Sequence, residues 1–493
     1  MTLADASDRL AALHGDREFV TEELRAGQTR SLTFVEAADR VARWSAAIAA
    51  RSRPCEPVVV AGDNGIDQFL ICLAVARAGG LPVPVNAQMT RSEVTHVIAD
   101  SGADLVIRSA DELTSGPGSR TDPHPPYPVD SDDVAALFYT SGTTGKPKGA
   151  MLSHRSLVSA SSRAALWPAW IRRDTVMLSL PVAHIMGFSA LLTSASAGVG
   201  IYFLPRFSAK RVLDVIESER LSAFMGVPAM FRLLLEAGAS ERDLTSVRLW
   251  ISGADVMAPD VARRFKSFGA TACLPGIGAV GEATFIEGYG MVEVGGGVAA
   301  KLSPPFLPVG LGDSLGVTMP GWRFRVVDDD GEPTRPGQVG QLLVRGPGLQ
   351  AGYWGDREAS SALMTDDGWL RTGDLARPGP LGSVVFSGRS KNVIMSGGYS
   401  VYPVEIEAAL EEHPGVAEAG VIGYPDRKLG EVPVAAVRRA QGSTVSAPEL
   451  GEWVRGRLAH YKVPRRLVFV DELPRNATRK VRRNELMSLF ADS

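Results

Sequence analysis

The run Tyr139–Gly149, YTSGTTGKPKG, places three glycines, four serine or threonine hydroxyls and two lysines within eleven residues. An apolar stretch, Val134 to Phe138, leads into it, and a second, Ala150 to Leu152, follows. A hairpin loop needs one or two glycines; this one has more than turn geometry requires. Closely spaced glycines let several backbone N–H groups point into one concavity, and hydroxyls with a lysine add donors, which suits a polyphosphate. A Walker loop does not account for the pattern. Counted from Gly142, the position that needs the second glycine is Pro147.

On both sides of this run the chain alternates strand-like and helix-like patterns. TFVEAADRVARWSAAIAA (33–50) reads as a helix opened by a capping box, Thr33 with Glu36. PVVVAG (57–62), a helix over Gln68–Ala78 and LPVPV (81–85) then give strand, helix, strand. The rhythm returns with TVMLSL (175–180), a helical run after Ser189, GIYFL (200–204) and a helix over Ala209–Glu219. Such alternation predicts an α/β fold, its sheets mostly parallel and flanked by helices. From Ser303 to Arg345 the composition turns to Gly, Pro and β-branched residues, which predicts a β subdomain over about 303–387. Beyond Gly388, a helix (VEIEAALEEH, 404–413) and strands (AGVIG, 419–423; VAAVRRA, 434–440; RRLVFV, 465–470) predict a small α+β domain over 389–493. The large domain is accordingly expected over 1–388. Ser115 to Pro128, rich in Pro, Gly and Ser, reads as an exposed loop.

Bulk properties narrow the classes. A chain of 493 residues is too long for one core. Hydrophobic content of 45% with 22% charged residues is ordinary for a soluble globular protein. A net charge of −3 gives no reason to seek nucleic acid or an anionic membrane as partner. Cys55, Cys72 and Cys273 are odd in number and far apart, against a disulfide framework or a zinc site and in keeping with a reducing cytoplasm. The first fifteen residues carry early acids and no apolar core, so no signal peptide is expected. The longest apolar stretch, Ser189 to Leu204, is interrupted and too short to span a bilayer.

The glycine-rich run resembles the phosphate loop of the adenylate-forming superfamily, which includes acyl-CoA synthetases, firefly luciferase and the adenylation domains of peptide synthetases. The rest follows in that family's order: PVAHIMGF (181–188), EGYGMVE (287–293), GQLLVRGPGLQAGYW (340–354), WLRTGDLA (369–376), GRSKNVIMSGGYSVYPVEIE (388–407) and PRNATRKVRR (474–483). The resemblance implies ATP, Mg²⁺ and coenzyme A. It also implies a large AMP-binding domain and a small mobile C-terminal one. Thr140, Ser141, Gly142, Thr143, Thr144 and Lys148 would wrap the triphosphate. Glu293 would hold Mg²⁺, with Thr140 contributing its hydroxyl. Tyr289 and Gly253 would flank the adenine, Asp374 would accept from both ribose hydroxyls, and Arg389 would add a donor fork. Lys480 would sit between carboxylate and α-phosphate, and His184 would gate the acyl pocket. Lys391 would be the hinge, and Gly397 and Gly398 would line the thiol passage.

The chemistry asks for such a set. A carboxylate repels nucleophiles until AMP is transferred onto it, and that transfer brings several anions together, so positioned cations are the main catalytic device. Thiol attack needs other neighbours, which a moving domain can supply. Three features depart from the family's pattern: Val292 replaces the usual threonine, Arg479 stands where a glycine usually precedes the lysine, and the segment 269–288 is longer than usual. SGGYSVYPVEIE (396–407) and AHYKVPRRLVFV (459–470) look like the acyl-CoA synthetase branch. Gly288 stands where a dicarboxylate substrate would need an arginine, and FMGVPAM (224–230) offers no carboxylate for a substrate ammonium. The expectation is a monocarboxylic, rather fatty than aryl, acid passed to CoA. The alternatives are an acyl-AMP ligase loading a separate carrier protein, an aryl-acid CoA ligase, and a non-catalytic homologue that binds nucleotide or acyl-adenylate.

Overall fold

A computed structural model of the chain describes all residues except 26, 116–121, 142–146, 165–173, 275, 308–313, 380–381, 477–478 and 491–493, and not the side chains of 141, 160–164 and 274. The chain divides into two compact units. One holds Met1–Arg323 and Arg345–Leu370, the other Phe324–Val344 and Arg371–Ser493.

The first unit is built on a nine-stranded mixed sheet. Its order is Val317–Thr318, Gly296–Ser303, Thr284–Met291, Leu249–Gly253, Ala223–Gly226, Thr175–Leu178, Gly200–Phe203, Glu18–Arg25, Gln28–Thr33. The six strands from Thr284–Met291 to Glu18–Arg25 are parallel to their neighbours, while the outer pairings are antiparallel. Parallel neighbours require crossovers, and helices Ile185–Ser196, Ala209–Ser218, Pro228–Glu236 and Pro259–Phe268 lie in those connections. One core cluster is aromatic: Phe224, Phe231, Trp250, Phe265 and Phe285 are fully buried, with neighbouring rings 4.9–6.2 Å apart. Helix Phe34–Ala49 has the expected capping box: Glu36 N–H donates to Thr33 Oγ1 at 3.2 Å and Thr33 N–H to Glu36 Oε2 at 2.8 Å.

A smaller parallel sheet, Leu81–Pro84, Pro57–Val60 and Leu105–Ile107, shares a core with the hairpin Val134–Ser141/Pro147–Ser153 through Val59, Val83 and Leu137. That hairpin carries the glycine-rich run. The long segment after residue 269 is a second hairpin, Ala272–Leu274 with Gly278–Val280, ahead of strand Thr284–Met291.

The second unit has a four-stranded sheet, Arg323–Val327, Gly340–Arg345, Leu370–Pro378 and Val384–Arg389. It also has a five-stranded sheet centred on the antiparallel pair Val416–Asp426 and Gly430–Arg439. The stretch expected as a β subdomain thus contains a four-stranded sheet, most of whose residues group with the C-terminal ones. One reason is local: Gly388, at φ +120°, brings the last strand against helix Pro403–Glu411, and a Cβ there would be 3.5 Å from Val404 Cγ2. Lys391 lies within this unit, in the turn Ser390–Asn392.

Candidate active site

In the first unit, the hairpin register sets Thr140 opposite Lys148 and Ser141 opposite Pro147. Gly142, Thr143 and Thr144 lie outside the described residues, as does the Ser141 side chain. Lys148 is held in place from outside the hairpin: its Nζ donates to Asp356 Oδ2 at 2.9 Å and lies 5.8 Å from the centre of the Tyr353 ring. The Ala359 N–H and then the Lys148 ammonium keep the Asp356 carboxyl below the usual carboxylate range. The segment bearing Tyr353 is laced onto the hairpin by backbone bonds, Met151 N–H to Gly352 O at 2.9 Å and Trp354 N–H to Gly149 O at 2.7 Å.

Tyr353 links this cation to the expected metal-binding acid. Its hydroxyl donates to Glu293 Oε1 at 3.0 Å, and burial and then the Glu293 charge push the phenol pKa up. Glu293 sits in the short turn Val292–Val294 and is 9% exposed. Gly295, at φ +72°, closes that turn so near the helix beginning at His154 that a Cβ would be 2.6 Å from Ser156 O. The structure thus brings Lys148 and Glu293 to one place through Tyr353 and Asp356, two residues the sequence reading did not single out. The signal was available, since Tyr353 falls inside the matched string 340–354.

Strands Leu249–Gly253 and Thr284–Met291 are in register with Gly253 beside Gly288. A Cβ on Gly253 would meet Met186 Cε and Gly288 O, both at 3.3 Å, whereas on Gly288 the nearest heavy atom would be Ser252 O at 3.8 Å. Tyr289 follows at the end of this floor. His184 caps helix Ile185–Ser196, its Nδ1 accepting the Met186 N–H at 3.2 Å. An accepting Nδ1 carries no proton, so the ring proton is on Nε2. Gly187 lets that turn close: a Cβ would be 2.1 Å from Pro181 O. On the alternate residues, which point to the other face of the sheet, Glu287 of strand Thr284–Met291 is paired with Lys301 of strand Gly296–Ser303 at 2.8 Å, both largely buried.

The second unit holds the remaining candidates. Asp374 and Arg389 are register partners on adjacent strands. Arg389 Nε forms an ion pair with Asp374 Oδ1 at 2.6 Å, with the carboxylate side chain 2% and the arginine side chain 40% exposed. A carboxylate this buried requires such a partner. Lys391 is exposed. Gly397 and Gly398, at φ +58° and +83°, form the two-residue turn between strands Ile394–Ser396 and Tyr399–Val401. Gly397 N–H donates to Leu429 O at 2.8 Å, and no atom lies within 4 Å of a Cβ placed on Gly398. Lys480 stands on another turn, its N–H donating to Asn476 Oδ1 at 2.9 Å. No group of three or more His, Cys, Asp or Glu side chains suited to a metal occurs among the described residues. None of the described helices is long and apolar enough to cross a membrane.

Comparison with known proteins identifies the family. Residues 7–354 match the model of the AMP-binding enzyme family, and residues 405–480 match its C-terminal domain. The chain is 33% identical to a feruloyl-CoA synthase of an Amycolatopsis species, over 93% of this chain and 94% of the relative. It is 31% identical to the fatty acid–[acyl-carrier-protein] ligase ScoC of Streptomyces coeruleorubidus, over 94% and 92%. The crystal structure of ATP-bound MatB from Rhodopseudomonas palustris superposes with a TM-score of 0.84 at 30% identity, covering 100% of this chain and 99% of that one. The chain therefore belongs to the AMP-binding enzyme family, the adenylate-forming superfamily, among its AMP-forming acid–thiol ligases.

Proposed function

We propose that the chain activates a monocarboxylic acid with an apolar tail, a fatty acid in the first instance, through an acyl-adenylate and passes it to coenzyme A. The observation that carries the choice of acid is the floor formed by Gly253 and Gly288. Both lack a side chain, Met186 borders Gly253, and Ile251 and Ile286 continue the same sheet face two residues earlier. The Glu287–Lys301 ion pair takes the alternate positions and so belongs to the other face of the sheet. The likeness to a feruloyl-CoA synthase favours an aryl acid as second reading, and the same apolar floor suits it.

In this reading Lys148, Thr140 and the glycine-rich loop take the triphosphate, Tyr289 stacks on adenine, and the Asp374–Arg389 pair binds the ribose. One acidic ligand fits Mg²⁺, which keeps several waters and takes one or two carboxylates plus phosphate oxygens. Glu293, oriented by Tyr353, would supply that carboxylate beside Thr140. The ion would neutralise phosphate charge, while Lys480 offsets the approach of the acid. His184, with its proton on Nε2, faces the acid as a neutral donor. For the acceptor, the second unit has an open cleft bounded by Tyr424, Asp426, Lys428, Leu429, Arg465 and Arg466, with Leu429 in contact with the Gly397 turn. Cations along the cleft and a side-chain-free turn beside Leu429 suit a phosphate-bearing pantetheine thiol. The likeness to ScoC makes a carrier protein the alternative bearer of that thiol. The division of labour implies a pivot, which we assign to Lys391, at the 388/389 boundary between an AMP-binding domain and a C-terminal one, in a cytoplasmic enzyme.

A panel of carboxylic acids scored by pyrophosphate release, with free CoA and carrier protein compared as acceptors, tests the proposal. Release with medium- or long-chain acids and CoA is expected. Release with aromatic acids alone would replace the fatty reading, and no release with any acid would leave a nucleotide-binding homologue.

A further inference from the structure

The turn that carries Lys480 is held in an unfavourable backbone conformation by an arginine. Arg479 has φ +60°, in the left-handed region that glycine adopts freely and other L-residues adopt at a cost. The turn is closed on itself: Asn476 N–H donates to Lys480 O, and Arg479 N–H to Asn476 O, both at 2.9 Å. Lys480 N–H donates to Asn476 Oδ1, also at 2.9 Å. From outside, Arg475 Nη1 donates to Arg479 O at 2.7 Å, and the same guanidinium is clamped on Glu418, itself 3% exposed. These bonds favour the observed backbone conformation at residue 479. A glycine would fit without strain, yet an arginine is present beside the lysine assigned to adenylation. Strain kept at a functional turn points to a use for the group that causes it.

We propose that Arg479 is a second catalytic cation of the adenylation step, donating to phosphate oxygens when Lys480 is engaged between the acid and the α-phosphate. This rests on the function proposed above and adds to it a residue where the superfamily resemblance supplied only glycine. Two anions approach each other in that step, so a further positive charge on the residue next to Lys480 lowers the barrier most as negative charge accumulates. Thiol attack on the finished adenylate brings no such accumulation, so Arg479 should matter little there.

Arg479→Gly separates strain from charge. It should melt at a higher temperature than the parent, because the turn is no longer strained. Acid-dependent pyrophosphate formation should nevertheless fall roughly ten- to hundredfold, the scale of one charge-assisted hydrogen bond. Conversion of supplied acyl-adenylate to thioester should be unchanged. Arg479→Lys keeps a cation and should stay within roughly threefold of the parent in pyrophosphate formation. Equal rates for Arg479→Gly and an active parent would overturn this inference alone. So would equal losses in both half-reactions, a glycine variant that melts lower, or a lysine variant as slow as the glycine one. A parent inactive with every acid would overturn the functional proposal and this inference with it.

Discussion

Single residues divide into those whose chemistry acts and those whose burial holds the fold. Lys480 is proposed to be of the first kind. Lys480→Ala should cut acid-dependent pyrophosphate formation at least roughly a hundredfold, the scale of a lost transition-state contact, and still convert acyl-adenylate to thioester; equal loss in both assays would move the assignment elsewhere. His154 belongs to the second kind. It is 2% exposed, its Nδ1 accepts the Leu3 N–H at 3.0 Å, and burial, only partly offset by Asp133 and Asp5, pushes its pKa down to about 4. The folded form thus resists a proton that the unfolded chain takes up from about pH 6.5 downwards. Stability should be unaffected above that pH and should fall as pH drops towards 4, by up to about 3 kcal/mol. His154→Gln keeps an acceptor and removes the titration, so its melting temperature should change less over that window than the parent's. Neither Tyr353 nor Asp356 was evident beforehand, because each acts by holding another residue, Glu293 or Lys148, and such support depends on which segments the fold lays side by side.

At the scale of elements, strand Thr284–Met291 shows two glycines with opposite reasons. A Cβ on Gly290 would lie 1.9 Å from Gly296 O, in the antiparallel partner strand, whereas on Gly288 it would meet only Ser252 O, at an ordinary contact distance of 3.8 Å. Gly290→Ala should therefore force the strands apart and destabilise the protein by about 1–3 kcal/mol or more, read by denaturant midpoint. Gly288→Leu should fold as the parent does, bind ATP with unchanged affinity, and lose long-chain acids while keeping acetate. An unaltered ratio of long- to short-chain turnover would mean that the tail does not pass Gly288, and the aryl reading would gain. Strands Thr175–Leu178 and Gly200–Phe203 and helices Phe34–Ala49 and Ala209–Ser218 were legible from their pattern and, at Thr33, from a capping box, whereas other strands of the large sheet, such as Ala223–Gly226 and Leu249–Gly253, were not singled out. The hairpin 272–280 was not: its strands are three residues each, with exposed Ile277 and Val280, too short for alternation to register.

Over the whole molecule, motif order identified the superfamily and composition foretold two kinds of sheet. The grouping of the four-stranded sheet with the C-terminal residues was hidden, because it depends on packing such as that of Gly388 against Val404 rather than on any local pattern. The proposed pivot is tested by Lys391→Pro, which fixes φ and restrains Ser390 as well. Adenylation should continue while thioester formation collapses; a variant that completes the full reaction would place the pivot elsewhere. The topology also sets a schedule for biosynthesis. Strand Glu18–Arg25 has one edge paired with Gln28–Thr33, but its other edge receives Gly200–Phe203. On a ribosome adding about 5–20 residues per second, that edge waits roughly ten to thirty seconds for its partner. During the wait it displays unpaired amides and carbonyls to every other nascent chain, so the yield of native enzyme in a crowded cell should depend on chaperones that shield the first two hundred residues.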